Sequence, residues 1–475
     1  MFALSSDPTL MEVLGLLLHL ALAGSVTVDV LLKKSDVRAA LGWIALAWFS
    51  PILGALLYYL FGINRVTRRA LRLRRRNAGR AASAGATLGS PDGPFALLEK
   101  VSAEVTKEPL TGGNDLTVLE GGDQAYPQML DAIAGARHAI AMASYIFRND
   151  AAGRQFCDAL IAAHRRGVRV RVLLDGVGAG YTYCPPLGRL RRGGVTAALF
   201  LHTWLPWRMP FLNMRNHRKL LVVDGALAFV GGINIGSENL SAQTRRRAIR
   251  DVHFKVCGPA TRAVMDTFAH DWTFTTGEGL DEDCWWPEQA SHGQVHVRGV
   301  RSGPDADIYK LESILGAALT LAQKRVRIVT PYFLPDTRLQ FAMHQACLRG
   351  VELQVIMPAM SDQLVMDWAM RGHLRFFRHI KADFFVTPPP FDHTKLCTID
   401  GKWCLIGSSN WDARSFRLNF EFDLECIGDA FAARIDAVID DRLSRAKPIL
   451  PDALAAEPVW LRLRNAAARL MMPYL

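Results

Sequence analysis

The 475-residue chain holds eight cysteines but no C-x-x-C pair. They are Cys157, Cys184, Cys257, Cys284, Cys347, Cys397, Cys404 and Cys426, several of them in apolar runs such as Lys395-Leu396-Cys397 and Trp403-Cys404-Leu405. They read as buried free thiols of a reducing compartment rather than a disulfide scaffold. No lysine or arginine precedes Lys33, so a cleaved signal peptide with a basic leader is not expected. Charge is sparse: 21% of residues are Asp, Glu, Lys or Arg, against 50% hydrophobic. That balance excludes a disordered tail and supplies a large core. The length allows one to three domains.

The charge leans one way, with Lys+Arg minus Asp+Glu giving 56 − 45 = +11. The pI is near 9.4 while the mean hydropathy is +0.10. Two classes combine these properties: a membrane segment with basic flanks, or a basic nucleic-acid binder with a rich core. The position of the charges separates them. Leu10 to Leu32 is a mainly apolar stretch of 23 residues, and Ala39 to Gly62 is 24 residues without a charge. A bilayer core needs roughly 20 helical residues, so both are long enough to span. The second is the stronger candidate, with Trp43 and Trp48 towards one end and Tyr58 and Tyr59 near the other. Pro51 predicts a kink in it. Glu12, His19 and Asp29 make the first the weaker span.

Asn64 to Arg80 contains Arg65, Arg68, Arg69, Arg72, Arg74, Arg75, Arg76 and Arg80 and no acid, which is +8 of the +11. The connector between the apolar stretches carries only Lys33, Lys34 and Arg38 against Asp36, or +2. The positive-inside rule places the chain after Gly62 on the cytoplasmic side, where the arginines also attract anionic lipid. Ala81 to Pro94 reads as a flexible linker.

From about residue 112 strands and helices alternate. Ala139–Phe147 predicts a strand, Arg154–Arg166 a helix and Val168–Leu174 a buried strand. The order returns as the strand Val326–Val329, the helix Arg338–Arg349 and the strand Val351–Met357. Tyr145-Ile146-Phe147 aligns with Tyr332-Phe333-Leu334, an offset of 332 − 145 = 187. Gly167 aligns with Gly350, an offset of 350 − 167 = 183. A period this long means duplicated domains, and apolar strands between helices predict α/β sandwiches.

The chemistry recurs with the fold. His217-Arg218-Lys219 leads through four apolar residues to Asp224, then to Gly231-Gly232-Ile233-Asn234. His393-Thr394-Lys395 leads at the same spacing to Asp400 and Gly407-Ser408-Ser409-Asn410. A single H-x-K is weak; H-x-K-x4-D-x6-G-G/S-x-N at equivalent places of a duplicated frame is very specific. In a strand, i and i+2 share a face, so His and Lys project together while Arg218 and Thr394 face away. If the halves meet about a pseudo-twofold axis, one pocket gains two His, two Lys and two Asn, a site suited to phosphate. One imidazole then attacks phosphorus and the other moves the proton, with lysines compensating charge and no metal demanded. Asp224 and Asp400, five residues past each lysine at a turn, complete the motif assigned to catalysis. Their position favours a structural or lysine-pairing role over direct chemistry.

At these residues the chain resembles the phospholipase D superfamily, over roughly Asp115 to Asp429. It looks specifically like the bacterial cardiolipin synthases. Supporting stretches are Pro51-Ile52-Leu53-Gly54 to Tyr58-Tyr59-Leu60-Phe61-Gly62, Arg215-Asn216-His217-Arg218-Lys219, Thr330-Pro331-Tyr332-Phe333-Leu334-Pro335 and Arg414-Ser415-Phe416-Arg417-Leu418-Asn419-Phe420-Glu421. The resemblance implies two phospholipase D-like α/β/α sandwich domains in pseudo-twofold arrangement, preceded by an N-terminal hydrophobic helix pair. The expected division is 1–63 membrane helices, 64–111 basic linker, 112–290 and 291–450 the two copies, and 451–475 a C-terminal segment.

It also implies a phosphatidyl transfer between two phosphatidylglycerols, giving cardiolipin and glycerol without a cofactor. His217 would be the nucleophile and His393 the acid and base, with Asn234 and Asn410 on the phosphate. Relatives orient each histidine through a carboxylate of the opposite copy, which implies Glu421 for His217 and Asp251 for His393. Arg245 to Arg247 and Arg250 offer Asp251 a plainer ion-pair role. The implied setting is the bacterial inner membrane, multi-pass, with a cytoplasmic catalytic domain and a homo-oligomer left open. Three alternatives stand beside it: a hydrolase releasing phosphatidate, a transferase using phosphatidylethanolamine, and a silent membrane scaffold. A DNA phosphodiesterase is disfavoured, because the arginine run lacks interleaved aromatics for base stacking.

Overall fold

The computed structural model describes residues 10–34, 37–50, 52–62, 94–202, 214–242, 248–304 and 307–472. They form two units, one within residues 10–62 and one from residue 94 onward. Pro51, the arginine run Asn64–Arg80, the linker before Pro94, and Arg245 to Arg247 lie outside the described residues.

In the first unit, Leu10–Lys33 is one helix of 24 residues, long and apolar enough to cross a bilayer. The second stretch corrects the sequence reading. It forms a 13-residue helix, Val37–Phe49, which stops and resumes only at Leu53–Leu57. Ile52 in the break has φ 62°, a conformation a β-branched residue adopts at a cost. A proline in the sequence here disfavours helix at the residue before it and withholds its own donor. The first stretch is therefore the long helix, despite its polar residues. Asp29 and Thr27 face the other segments: the Tyr58 hydroxyl donates to Asp29 at 2.7 Å, and Trp48 Nε1 donates to Thr27 at 3.1 Å. Ala23, Val26, Val30, Ala47 and Ala55 form a seam of small and β-branched residues between the segments.

The second unit is built on a continuous mixed sheet. Its first copy contains β1 (Thr111–Glu120), β2 (Ala139–Ser144), β3 (Arg169–Asp175), β4 (Thr196–Phe200), β5 (Arg215–Asn216), β6 (Leu220–Val223), β7 (Leu227–Gly231), β8 (Ile249–Arg250) and β9 (Val252–Cys257). The second contains β10 (Val295–Ser302), β11 (Arg325–Val329), β12 (Glu352–Pro358), β13 (Asp383–Thr387), β14 (Phe391–Asp392), β15 (Leu396–Ile399), β16 (Trp403–Gly407) and β17 (Asn419–Ile427), with β18 (Lys447–Pro448) at its edge. From the centre outward one copy runs β1-β9-β7-β6-β2-β3-β4 and the other β10-β17-β16-β15-β11-β12-β13. β1 and β10 pair antiparallel and join them.

The register refines the repeat. Ala139 pairs with Arg169, and Arg325 pairs with Glu352, so the first strands are offset by 325 − 139 = 186 and the second by 352 − 169 = 183. Phe147 bridges Ile235 and Phe333 bridges Trp411 at the same 333 − 147 = 186. The sequence alignment of the two tyrosines was one residue out; Ile146, not Tyr145, is the topological equivalent of Tyr332. The helices between strands begin alike: Asp150 caps Ala151–Arg165 and Asp336 caps Thr337–Leu348, each accepting backbone N–H bonds from the first turn. They end alike at Gly167 (φ 93°) and Gly350 (φ 90°), in the left-handed region glycine tolerates.

Candidate active site

Each motif strand reaches the site by pairing with the opposite copy. β5 runs parallel to β17, and His217 N–H donates to Phe420 C=O at 2.9 Å. β14 runs parallel to β8, and His393 N–H donates to Arg250 C=O at 2.7 Å. The residue after each accepting carbonyl is a buried carboxylate, Glu421 in one case and Asp251 in the other. The backbone therefore delivers each histidine to an acid of the other half. His217 Nδ1 lies 2.9 Å from Glu421 Oε2, and His393 Nδ1 lies 2.7 Å from Asp251 Oδ2. An ionised carboxylate only accepts, so each ring carries a proton on Nδ1, which leaves Nε2 for the chemistry.

The lysines lie on the same side as their histidines. Lys219 Nζ donates to His217 C=O at 2.6 Å and sits 5.2 Å from the Tyr145 ring centre. Lys395 Nζ donates to His393 C=O and lies 3.9 Å from Asp251 Oδ2. Arg218 faces away, into a buried ion pair with Asp271 at 2.5 Å.

Burial lowers the His217 imidazole to about 4, with Glu421 opposing the shift. It also lowers His393, and there Lys395 adds to the effect. Each imidazole is further disfavoured as a cation by the lysine of the other motif, so the four groups share one electrostatic field. Burial brings the Lys219 ammonium down to about 7. Burial by itself would raise Glu421, but His217, Lys219 and the Ser408 hydroxyl outweigh it and hold the acid at about 2. For Asp251 the same upward push is overcome by Lys395 and His393. An anion entering between the lysines restores their charge, which is what a phosphodiester does.

Asp224 and Asp400 are not brought to this cluster. They sit at the far end of β6 and β15 from the lysines. Asp224 accepts backbone N–H bonds of 2.7–2.9 Å from Arg137, His138 and Ala139. Asp400 does so from Gln323, Lys324 and Arg325 at 2.8–2.9 Å. Both have positive φ and tie the motif turn to the start of the next strand. Of the two roles the sequence left open for them, the contacts are structural, and among the described residues neither aspartate pairs with a lysine side chain. Asn234 Oδ1 accepts from Ile146 N–H at 3.1 Å, and Asn410 is buried, its Oδ1 without a hydrogen-bond partner among the described residues. Arg250 points to Asp392 at 3.9 Å rather than pairing with Asp251.

Several residues around the site escaped the sequence reading. Glu421 accepts from Ser408 Oγ at 2.6 Å, Ser415 Oγ at 2.9 Å and Asn419 Nδ2 at 3.0 Å besides His217. Tyr145 packs edge-on against His217 with centres 4.8 Å apart, and Tyr332 against His393 at 6.5 Å. Ser415 and Asn419 stood within the motif Arg414 to Glu421; Asn419 shares a strand face with Glu421 at i and i+2, whereas nothing in the spacing of Ser415 says that it reaches the acid.

A duplicated α/β unit that ties two histidines to opposite carboxylates and flanks them with lysines defines a phosphodiester-transfer protein of the phospholipase D class. Comparison with known proteins narrows this. The family described as cardiolipin synthase, PLD-like domain, matches residues 129–272 and 315–443, one segment per copy. The phospholipase D-nuclease N-terminal family matches residues 21–62. The cardiolipin synthase of Alkalihalophilus pseudofirmus is 30% identical, over 92% of this chain and 88% of its own. The major cardiolipin synthase ClsA of Bacillus subtilis is 27% identical, over 93% of this chain and 95% of its own. The phosphatidylserine synthase of Haemophilus influenzae Rd KW20 shares the fold, with a TM-score of 0.61 at 15% identity, over 80% of this chain and 100% of its own. The chain belongs to the cardiolipin synthase family of phospholipase D-like proteins.

Proposed function

We propose that the chain makes cardiolipin by transferring a phosphatidyl group from one phosphatidylglycerol to another through a phosphohistidine. It is a phosphatidyltransferase of the phospholipase D superfamily and associates with membranes. The observation that carries the mechanism is the pair of Nδ1–carboxylate bonds crossing between the copies. His217 Nε2 attacks phosphorus, and the bond from phosphorus to the glycerol oxygen breaks. The protonated His393 gives its Nε2 proton to that oxygen, and glycerol leaves. His393 then takes the proton from the terminal hydroxyl of a second phosphatidylglycerol. The freed oxygen attacks phosphorus, the phosphorus–nitrogen bond breaks, and cardiolipin leaves with His217 restored. Lys219 and Lys395 hold the phosphoryl oxygens, with Asn234 and Asn410 beside them.

Neutral His217 beside ionised Glu421 fits the nucleophile, because its low proton affinity keeps the lone pair available. The divisions 112–290 and 291–450 are read as two copies that act only as a pair, each supplying the other's carboxylate. The arginine run after Gly62 supports a cytoplasmic catalytic unit, and the interrupted second apolar helix supports a re-entrant or short second pass behind one full span.

The test is the purified chain with phosphatidylglycerol alone. Cardiolipin and glycerol in equal amounts are expected. Phosphatidate in their place would assign a hydrolase, and neither product would overturn the reading.

A further inference from the structure

The helix Val459–Leu470 is inverted for a water-facing element. Its inward face carries the buried Asn465 and Ala468 and packs against Leu364–Leu374, where Gly372 lets the Asn465 carbonyl approach to 2.4 Å of a would-be Cβ. Its outward face is Val459 (61% exposed), Trp460 (66%), Leu463 (66%), Leu470 (75%) and Met471 (51%), with the exposed Ala467 among them. At 3.6 residues per turn these six positions fall within an arc of about 120°. Every exposed position of the helix is thus apolar, and its polar positions lie at the margins or underneath, the reverse of a solvated surface helix.

The margins are basic. Arg464 borders one edge of the arc, and Arg462 and Arg469 border the other. None of the three pairs with a carboxylate among the described residues, and no acid occurs between Pro458 and Leu475. Arg469 lies 4.4 Å from the Phe376 ring centre and Arg464 lies 4.6 Å from that of Trp368, so both are held beside the arc. A second copy of the chain would have to meet three unpaired cations with matching acids, and this face offers none to reciprocate.

We infer that this C-terminal helix lies in the interface of an anionic phospholipid leaflet, its apolar arc in the acyl boundary and its arginines on lipid phosphates. The inference rests on membrane association but not on the reaction. The partner is fixed by chemistry: it is apolar at its centre, anionic on both sides and without directed donors. Lipid attachment at this point would hold the catalytic unit against the surface that carries its diacyl substrates.

The experiment uses the full chain reconstituted in vesicles, with p-benzoylphenylalanine at Leu463 or, as control, at the exposed Glu352. In vesicles of equal parts phosphatidylglycerol and phosphatidylcholine, photolysis at Leu463 should give lipid adducts in at least about tenfold excess over Glu352. The yield should fall about fivefold or more when phosphatidylcholine replaces all phosphatidylglycerol, since each arginine at an anionic surface contributes about that factor. A chain–chain adduct of doubled mass, or no lipid adduct at Leu463, would overturn the assignment. So would equal yield in phosphatidylcholine, which would remove the anionic partner. Backbone hydrogen exchange over 459–471 in the unaltered chain provides a reading free of substitution. It should slow on moving from detergent to the mixed vesicles, and unchanged exchange counts against the proposal. No readout requires turnover, so an inactive preparation leaves the test valid.

Discussion

The two copies share a strand order and differ in the charges beneath it. In the first, the residue between His217 and Lys219 is a buried arginine, and Arg218 pairs with Asp271 on the long helix behind the sheet. In the second, that place is Thr394, and the acid is Asp392, before the histidine, with Arg442 on the corresponding helix at 3.4 Å. The fold requires a buried ion pair locking each motif to its helix but not a particular arrangement of sign. A second difference faces the reaction. Gly232 has no side chain, and a Cβ there would lie 2.2 Å from Asp251 Oδ1. Its counterpart, at an offset of 408 − 232 = 176, is Ser408, whose hydroxyl donates to the longer Glu421. Glu421 is held by four side-chain donors, while Asp251 accepts from His393 and from the Val252 N–H and has Lys395 at 3.9 Å. On the proposed mechanism this divides near-symmetric chemistry: His217 is held as the nucleophile, and His393 keeps a proton in play.

The sharpest break of this comparison is to remove each histidine. His217→Ala and His393→Ala should each lower cardiolipin formation by at least about 10⁴-fold. They should differ in what they trap. With a phosphatidyl substrate carrying a nitrophenol leaving group, which departs without an acid, His393→Ala should accumulate phosphorylated enzyme and His217→Ala none. Label in His217→Ala alone would reverse the assignment.

Next come the carboxylates. Glu421→Gln should cost about 10³-fold, because the imidazole loses the acceptor that sets its tautomer. Asp251→Asn should cost less, about 10²-fold, since Lys395 still borders His393. Activity of Asp251→Asn equal to the unaltered enzyme would leave Asp251 a structural residue. Thermal midpoints of the purified variants separate chemistry from folding. As a reference for folding damage, Asp271→Ala strands the buried Arg218 and should destabilise by about 3–5 kcal/mol.

Much of this is legible in the sequence. The strands around Val168–Leu174 and Val351–Met357 lie within one residue of their expected bounds, because mostly apolar runs opened by glycine have few other readings. The doubled H-x-K announced the site by repetition. What stayed hidden depends on register or on tertiary contact. Tyr145 and Tyr332 look equivalent as letters, yet hydrogen bonding sets them one residue apart. Ser415 reaches Glu421 only because the short helix Ala413–Arg417 folds back on β17. The apolar pair hides its polar contact in the same way: Asp29 is costly in an apolar helix by itself, and the Tyr58 hydroxyl that donates to it lies 29 residues on. The uncharged second stretch hid a break that hydropathy does not register.

A subtler exchange tests the glycine–serine difference. Gly232→Ser pushes a side chain into Asp251, and a displacement of the order of 1 Å at a proton-transfer group costs about 10²-fold. Ser408→Gly removes one charge-assisted bond to Glu421, about 1.5–3 kcal/mol, and leaves three other donors, so about a tenfold loss is expected. The order should hold in kcat more than in KM, because neither residue touches lipid. A larger loss from Ser408→Gly than from Gly232→Ser would mean that Asp251 is the more tolerant carboxylate and that the division of labour is misread.

The smallest effect separates the two lysines. Burial lowers Lys219 to about 7 and also lowers Lys395. A lowered lysine is an ammonium below its pKa and loses that charge as pH rises through it. In the free enzyme, kcat/KM should therefore fall with rising pH, by about tenfold between pH 6 and pH 8 for one group titrating near 7. His217, lowered to about 4, is already deprotonated across this window and adds no limb of its own. Lys219→Arg keeps its charge throughout and should flatten the alkaline fall, even with a lower rate from crowding the slot beside Tyr145. Lys395→Arg should leave the fall in place, because Asp251 at 3.9 Å and Glu421 both favour that ammonium while Lys219 continues to titrate. An unchanged fall in Lys219→Arg would move the titration to the His393 side, where loss of the acid proton has the same sign. The two origins then separate by substrate: a leaving group that needs no acid abolishes a limb due to His393 and preserves one due to lysine.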